Sequence, residues 1–258
     1  MSAIIMICHQ LKLAFIHIPR TSGSYLCNQI YNIFYANKLS SSEFWEEVTF
    51  IKGKDAKHWT LNQLVQVDSK IKNYFKFSII RNPWDHLVSI YHMPIFWASF
   101  VDFPSWLNFY VNKIEDSRNY CVFAKIPDKI FLEKYNLTNY ITPIRCSDWL
   151  VDEEDVHIIK YDQIQDQLGS LCDYLNVDID SLYNTFPYTK DLSSRSEAGL
   201  SWSSKVLSQK NILDSKKELI ESNTPISIKN YRDYYNVETK NLVAKYYREE
   251  INRFNWKY

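Results

Sequence analysis

The chain has 258 residues, 46% of them apolar and 16% aromatic, and its 30 basic and 30 acidic residues cancel. That balance supplies no global field to draw in nucleic acid or an anionic membrane, so any anion site must be a local arrangement. Only four residues are glycine (Gly23, Gly53, Gly169 and Gly199), which leaves no G-x-G-x-x-G loop and no G-x-x-x-x-G-K-[ST] loop.

In chain order, the apolar run Ala3–Cys8 is far shorter than the roughly 18 residues of a membrane span. It also lacks a basic leader and a cleavage site, so secretion is not expected. Next, Lys12-Leu-Ala-Phe-Ile-His-Ile18 is an apolar run closed by Pro19 and reads as a buried strand. The turn Pro19–Gly23 leads into helical spacing at Leu26, Ile30, Ile33 and Phe34. The same grammar recurs at Phe75–Ile80, with Arg81-Asn82 and then a helix that has Pro83 near its first turn. A third copy is Val156–Tyr161, followed by a helix through Ile164, Leu168, Leu171, Cys172 and Leu175. Strands alternating with helices predict an α/β protein with a central parallel sheet flanked by helices. The final third is helical in pattern and ends with one helix from about Val237 to Phe254. The Ser-rich stretch Ser193–Ser208 is expected to be a long loop, and no linker cuts residues 1–258 into separate domains. The five cysteines are odd in number, widely spaced and without a C-x-x-C, a pattern of reduced, buried thiols in a cytosol rather than a disulfide frame or a zinc site.

Two strand exits carry anion chemistry. In an open parallel sheet, ligands bind beyond the carboxyl ends of the strands, where loops enter helix N-termini. The first exit, Pro19-Arg20-Thr21-Ser22-Gly23-Ser24, offers N–H groups, three hydroxyls, one guanidinium and a glycine that lets backbone approach an anion. A plain Ser-capped turn is the alternative. The second exit runs from Arg81 to Tyr91, with Arg81 at the strand end and Ser89 two helical turns into the helix.

Taken together, His17-Ile-Pro-Arg-Thr-Ser-Gly-Ser-Tyr25 and Arg81-Asn-Pro-Trp-Asp-His-Leu-Val-Ser-Ile-Tyr91 resemble the two cofactor signatures of sulfotransferases. These enzymes use 3′-phosphoadenosine 5′-phosphosulfate (PAPS), and the likeness is to the branch that includes carbohydrate sulfotransferases. Lys57-His58-Trp59-Thr60 is similar to that family's G-H-x-T segment. Val156–Leu175 is similar to its central strand and helix, and Tyr231-Arg-Asp-Tyr-Tyr235 with Glu250–Trp256 to its ending. Asn255 stands where the family has Gly, and Asn tolerates a left-handed helix cap.

The resemblance implies a P-loop-NTPase-like sulfotransferase fold over residues 1–258 and transfer of a sulfuryl group from PAPS to an acceptor hydroxyl or amine. Arg20, Thr21, Ser22, Gly23, Ser24 and Tyr25 would hold the 5′-phosphosulfate, and Arg81 and Ser89 the 3′-phosphate. Ser227 and Lys229 would reach the nucleotide, and His58 would act as general base. The product nucleotide would be adenosine 3′,5′-bisphosphate, and no metal is implied. A small-molecule acceptor in the cytoplasm is expected, with no nucleic-acid or membrane partner. A carbohydrate O-sulfotransferase and a catalytically degenerate nucleotide-binding or scaffold protein are the alternatives. Two departures motivate the last: Arg20 replaces the family's Lys, and Arg cannot readily donate a proton, while His86 replaces an Arg.

The aromatic set Phe96, Trp97, Phe100, Phe103, Trp106, Phe109 and Tyr110 reads as core packing, with an acceptor pocket as the alternative. His17 reads as a packed residue, Asp152–Asp155 as solvated surface, and Lys52, Lys54 and Lys57 as an exposed loop.

Overall fold

The computed structural model describes residues 6–44, 50–51, 54–55, 60–92, 102–116, 145–150, 155–183 and 230–258. His58, Gly53, the segment 93–101 and the Ser-rich stretch 193–208 lie outside them, as do Cys121, Ser227 and Lys229. The strands of the main sheet are β1 (Met6–Cys8), β2 (Leu13–Ile16), β3 (Phe75–Ile80) and β4 (Val156–Lys160). The longer helices, in chain order, are α1 (Gly23–Phe34), α2 (Leu61–Val67), α3 (Pro83–Tyr91) and α4 (Phe103–Asp116). They are followed by α5 (Cys146–Trp149), α6 (Ile164–Gln167), α7 (Gly169–Leu175), α8 (Ile179–Tyr183), α9 (Val237–Tyr246) and α10 (Arg248–Phe254). The chain divides into two compact units, Met1–Asn82 with Ile144–Pro187, and Pro83–Pro143 with Tyr188–Tyr258.

The first unit has an α/β architecture built on a four-stranded, mostly parallel sheet in the order β1-β2-β3-β4. β3 is parallel to both β2 and β4, in the registers Ile16↔Ser78 and Ile80↔Lys160. One face carries Leu13, Phe15, Phe77, Ile79 and Ile159, packed with Leu26, Cys27 and Ile30 of α1 and with Ile164, Leu168, Leu171 and Leu182. Phe15 and Phe77 stack with centroids 4.7 Å apart, and full burial of each ring is worth about 2–3 kcal/mol. Ala14, Ile16, Ser78 and Ile80 on the opposite face are equally inaccessible. Burial on both faces is why these strands read as apolar runs without alternation. Ser78 fits because its hydroxyl donates to the Ile16 carbonyl at 2.7 Å.

β1 is the unexpected strand. It runs antiparallel to β2 through the turn His9–Lys12, closed by the Lys12 N–H on the His9 carbonyl at 3.3 Å. The turn needs Lys12 at φ 46°, and no Gly, Asn-Gly or Pro marks it in the sequence. Tyr174 stands in for that missing signal: its hydroxyl reaches the carbonyls of Leu11 and Lys12, both at 2.9 Å. The buried Lys76 ammonium donates to the Lys72 carbonyl at 2.8 Å and pairs with exposed Asp155 at 2.9 Å.

The second unit is helical among its described residues. α3 opens on Pro83, which suits a first helical position because no N–H is needed there. Phe103, Trp106 and Tyr110 are buried around Tyr91, so these aromatics pack as core, as the spacing predicts. The expected single C-terminal helix is two, α9 and α10, separated by Tyr247 at φ −102°, ψ 16°. Hydrogen bonds continue across that residue, from its N–H to Val243 at 2.9 Å and from the Ile251 N–H to its carbonyl at 2.8 Å. α10 ends on Asn255 in the left-handed conformation expected of it, at φ 51°. Among the described residues no helix is long and apolar enough to cross a membrane.

Candidate functional site

β2, β3 and β4 point their carboxyl ends the same way, so the residues that follow them gather at one edge of the first unit. After β2 the chain keeps His17 and Ile18 buried, exposes Arg20 and enters α1 at Gly23. Two residues of this loop are left-handed without being glycine: Arg20 at φ 66° and Ser22 at φ 71°. Each such residue costs about 1–2 kcal/mol, so tertiary contacts must hold the loop.

Three of those contacts are visible. The Thr21 hydroxyl, wholly buried, donates to the Ile18 carbonyl at 2.7 Å, which directs its proton into the turn rather than outward. Arg81 donates from Nη1 to the Arg20 carbonyl at 3.1 Å. Gly23 lies against the rings of β2: a Cβ there would sit 2.5 Å from Phe15 Cζ and would also overlap His17. Packing therefore already requires glycine at this position, ahead of any need for backbone to approach an anion.

Ser22 occupies the cap position of α1 without a side-chain capping bond, and the first turn holds no acidic residue. The Ser-capped turn is thus not the arrangement found. The first N–H groups of an α-helix have no intrahelical acceptor, and the positive end of the helix dipole favours an anion there. With exposed Arg20 and the half-buried Ser22 and Ser24 beside it, the donor set is that of a phosphate- or sulfate-like group.

Electrostatics separate the loop's two basic types. Burial pushes His17 down to about 4, so it is a neutral wall behind Gly23 and not a cation at pH 7. Arg81 stays charged whatever its surroundings, although it is only 4% exposed. Its guanidinium lies over the Tyr161 ring, 4.3 Å from the centroid. Tyr25 is half-buried, and desolvation raises its phenol to about 12.

The structure thus brings Arg20, Thr21, Ser22, Gly23, Ser24 and Tyr25 onto one strand exit, with Arg81 hydrogen-bonded to its backbone. Ser89 is buried within α3 of the second unit. Tyr161 is the residue that sequence reasoning missed as part of the site. Its signal was its place directly after β4, in the position that Arg81 holds after β3. Among the described residues no group of three His, Cys, Asp or Glu side chains is placed to hold a metal ion.

No family model matches the chain, and no curated protein matches it. Among solved structures it is similar to mouse sulfotransferase SULT7A1 complexed with PAP. The TM-score is 0.46, with 12% identity over 97% of this chain and 84% of that one.

Proposed function

We propose that this protein is a PAPS-dependent sulfotransferase that sulfates a small-molecule acceptor. One observation carries the reading. The two signature segments, His17–Tyr25 and the one opening at Arg81, leave adjacent parallel strands in the order and register that let Arg81 bond the backbone of the first loop. Two exits of one parallel sheet, each furnished with a guanidinium, suit a ligand that is anionic at both ends.

In this reading Arg20, the hydroxyls of Ser22 and Ser24 and the N–H groups at the start of α1 receive the 5′-phosphosulfate. Arg81 receives the 3′-phosphate that separates PAPS from ATP. His58 takes the proton of the acceptor hydroxyl as its oxygen attacks sulfur. A new S–O bond forms while the bond from sulfur to the bridging phosphate oxygen breaks, and adenosine 3′,5′-bisphosphate leaves. Arg20 stabilises the charge on that leaving oxygen without donating a proton to it.

Isothermal titration with adenosine 3′,5′-bisphosphate against ATP tests the cofactor. Preference for the bisphosphate is expected, and preference for ATP overturns the reading. Turnover of labelled PAPS with a panel of small hydroxylated acceptors tests the chemistry, and a fall of about 100-fold or more is expected in His58→Ala. A second reading, a protein that binds the nucleotide without turning it over, is favoured by His86, which is buried where the family has a basic Arg. Tight binding of the bisphosphate with no turnover of any acceptor would select it.

A further inference from the structure

We propose that Tyr161 is a positioning residue of the anion site, its ring serving as the floor that holds the Arg81 guanidinium in place. The inference rests on the reading of Arg81 as the ligand of the nucleotide's 3′-phosphate. It begins with the strand register. Ile80 and Lys160 are Cα partners in parallel strands, so Arg81 and Tyr161 each lie one residue further along. Neighbouring strands are about 4.8 Å apart, and in-register side chains project from the same face. A slip of one residue would send the two side chains to opposite faces. In the observed register the guanidinium carbon lies 4.3 Å from the Tyr161 centroid, within cation–π range.

Arg81 is only 4% exposed, so water screens this attraction little. The guanidinium has a second point of attachment in the Arg20 carbonyl, 3.1 Å from Nη1. The ring below and the carbonyl beside fix the plane of a side chain that would otherwise rotate about several bonds. Without the ring, the guanidinium loses the support of one face, and its plane is held less firmly. The loop after β2 stays tied, while the remaining N–H donors lose their direction. Ring and guanidinium therefore act together on one end of the nucleotide. The ring face carries the effect, so phenylalanine substitutes for tyrosine and an aliphatic side chain does not.

The test compares adenosine 3′,5′-bisphosphate with adenosine 5′-monophosphate, which lacks only the 3′-phosphate, by titration calorimetry on the full chain. Wild type and Tyr161→Phe are expected to share one preference for the bisphosphate. In Tyr161→Leu that preference falls about tenfold, while affinity for the monophosphate changes less than about twofold. Tyr161→Met serves if the leucine variant does not fold, with the same fall expected. An undiminished preference in the aliphatic variant overturns the proposal, and so does an equal loss in Tyr161→Phe.

A wild type that does not prefer the bisphosphate fails the reading of Arg81 itself. Side-chain NMR of Arg81 then decides the positioning claim separately. Ring-current shifts present in wild type and Tyr161→Phe and absent in the aliphatic variant support it. Unshifted Arg81 resonances in wild type overturn it.

Discussion

α1 and α9 begin in opposite ways. At α9, Asn236 accepts from the Thr239 N–H at 2.8 Å, and the Thr239 hydroxyl accepts from the Asn236 N–H at 3.0 Å. Glu238 adds negative charge to that first turn. The start of α9 is completed by side chains within its own sequence. α1 has no such cap: Ser22 is left-handed, its side chain makes no capping bond, and no acidic residue follows. Its entry is shaped by residues outside the helix, namely Phe15 and His17 on the chain leading into it and Arg81 from the neighbouring strand exit. A helix start finished locally neutralises its dipole; one shaped from behind leaves its electropositive end facing outward. The second kind suits a ligand, and it makes the loop sensitive to changes in the wall behind it.

The largest expected effect tests that wall. Gly23→Ala would place a Cβ 2.5 Å and 2.7 Å from Phe15 ring atoms and in overlap with His17. Those rings are buried and close-packed, so relief requires moving the helix start away from β2. Destabilisation of about 3 kcal/mol is expected, read as a lower urea midpoint at unchanged slope. Phe15→Leu in the same chain should show strong coupling to the glycine change in a double-mutant cycle. Additive effects would mean the contact is not what limits this position.

The next effect is a pH dependence from the same wall. Burial lowers His17 from an ordinary value of 6.5 to about 4, so between those values the unfolded chain binds a proton that the folded chain refuses. Stability from this group is therefore complete above about pH 6.5 and is lost as pH falls toward 4. Between pH 7 and pH 5 the loss is about 2 kcal/mol. Urea melts of wild type and His17→Gln across that interval check it, and the variant's curve should be flatter by that amount. An equal slope in both would place the acid sensitivity elsewhere.

The contrast between the two helix starts also explains what the sequence made visible. The strand exits were readable because an apolar run ends abruptly, at the helix- and strand-breaking Pro19 in one case and at the charged Arg81 in another. Asn255 was readable as a left-handed cap because a local rule covers it. Arg20 and Ser22 were not readable as left-handed, since nothing local favours that conformation in Arg or Ser and the loop is held from outside. The stack of Tyr161 on Arg81 depends on a register between strands separated by more than seventy residues in sequence. Neither residue alone signals it. The β1 turn escaped for a similar reason, its left-handed Lys12 being supported by Tyr174 from α7.

A smaller effect tests the locally finished start. Asn236→Ala removes the acceptor for the Thr239 N–H, and a loss of about 1 kcal/mol is expected. Asn236→Ser should recover most of it, because a hydroxyl also caps. An alanine variant as stable as wild type would show that α9 is also held from outside, and the contrast with α1 would disappear.

The smallest expected effect is at Ser22, and its sign is the informative part. Glycine would relieve the left-handed strain at φ 71°, worth about 1 kcal/mol at a non-glycine residue. It would also give the unfolded chain more freedom, costing about 0.5–1 kcal/mol on folding. The two nearly cancel, so Ser22→Gly should change stability by less than about 0.5 kcal/mol. Ser22→Ala keeps the strain, and since the side chain makes no capping bond, it too should be nearly neutral. At an ordinary serine cap the same alanine substitution costs about 1 kcal/mol. A loss of that size by thermal melting would mean that the Ser22 hydroxyl does cap α1, and the two helix starts would then differ only in which residue performs the task.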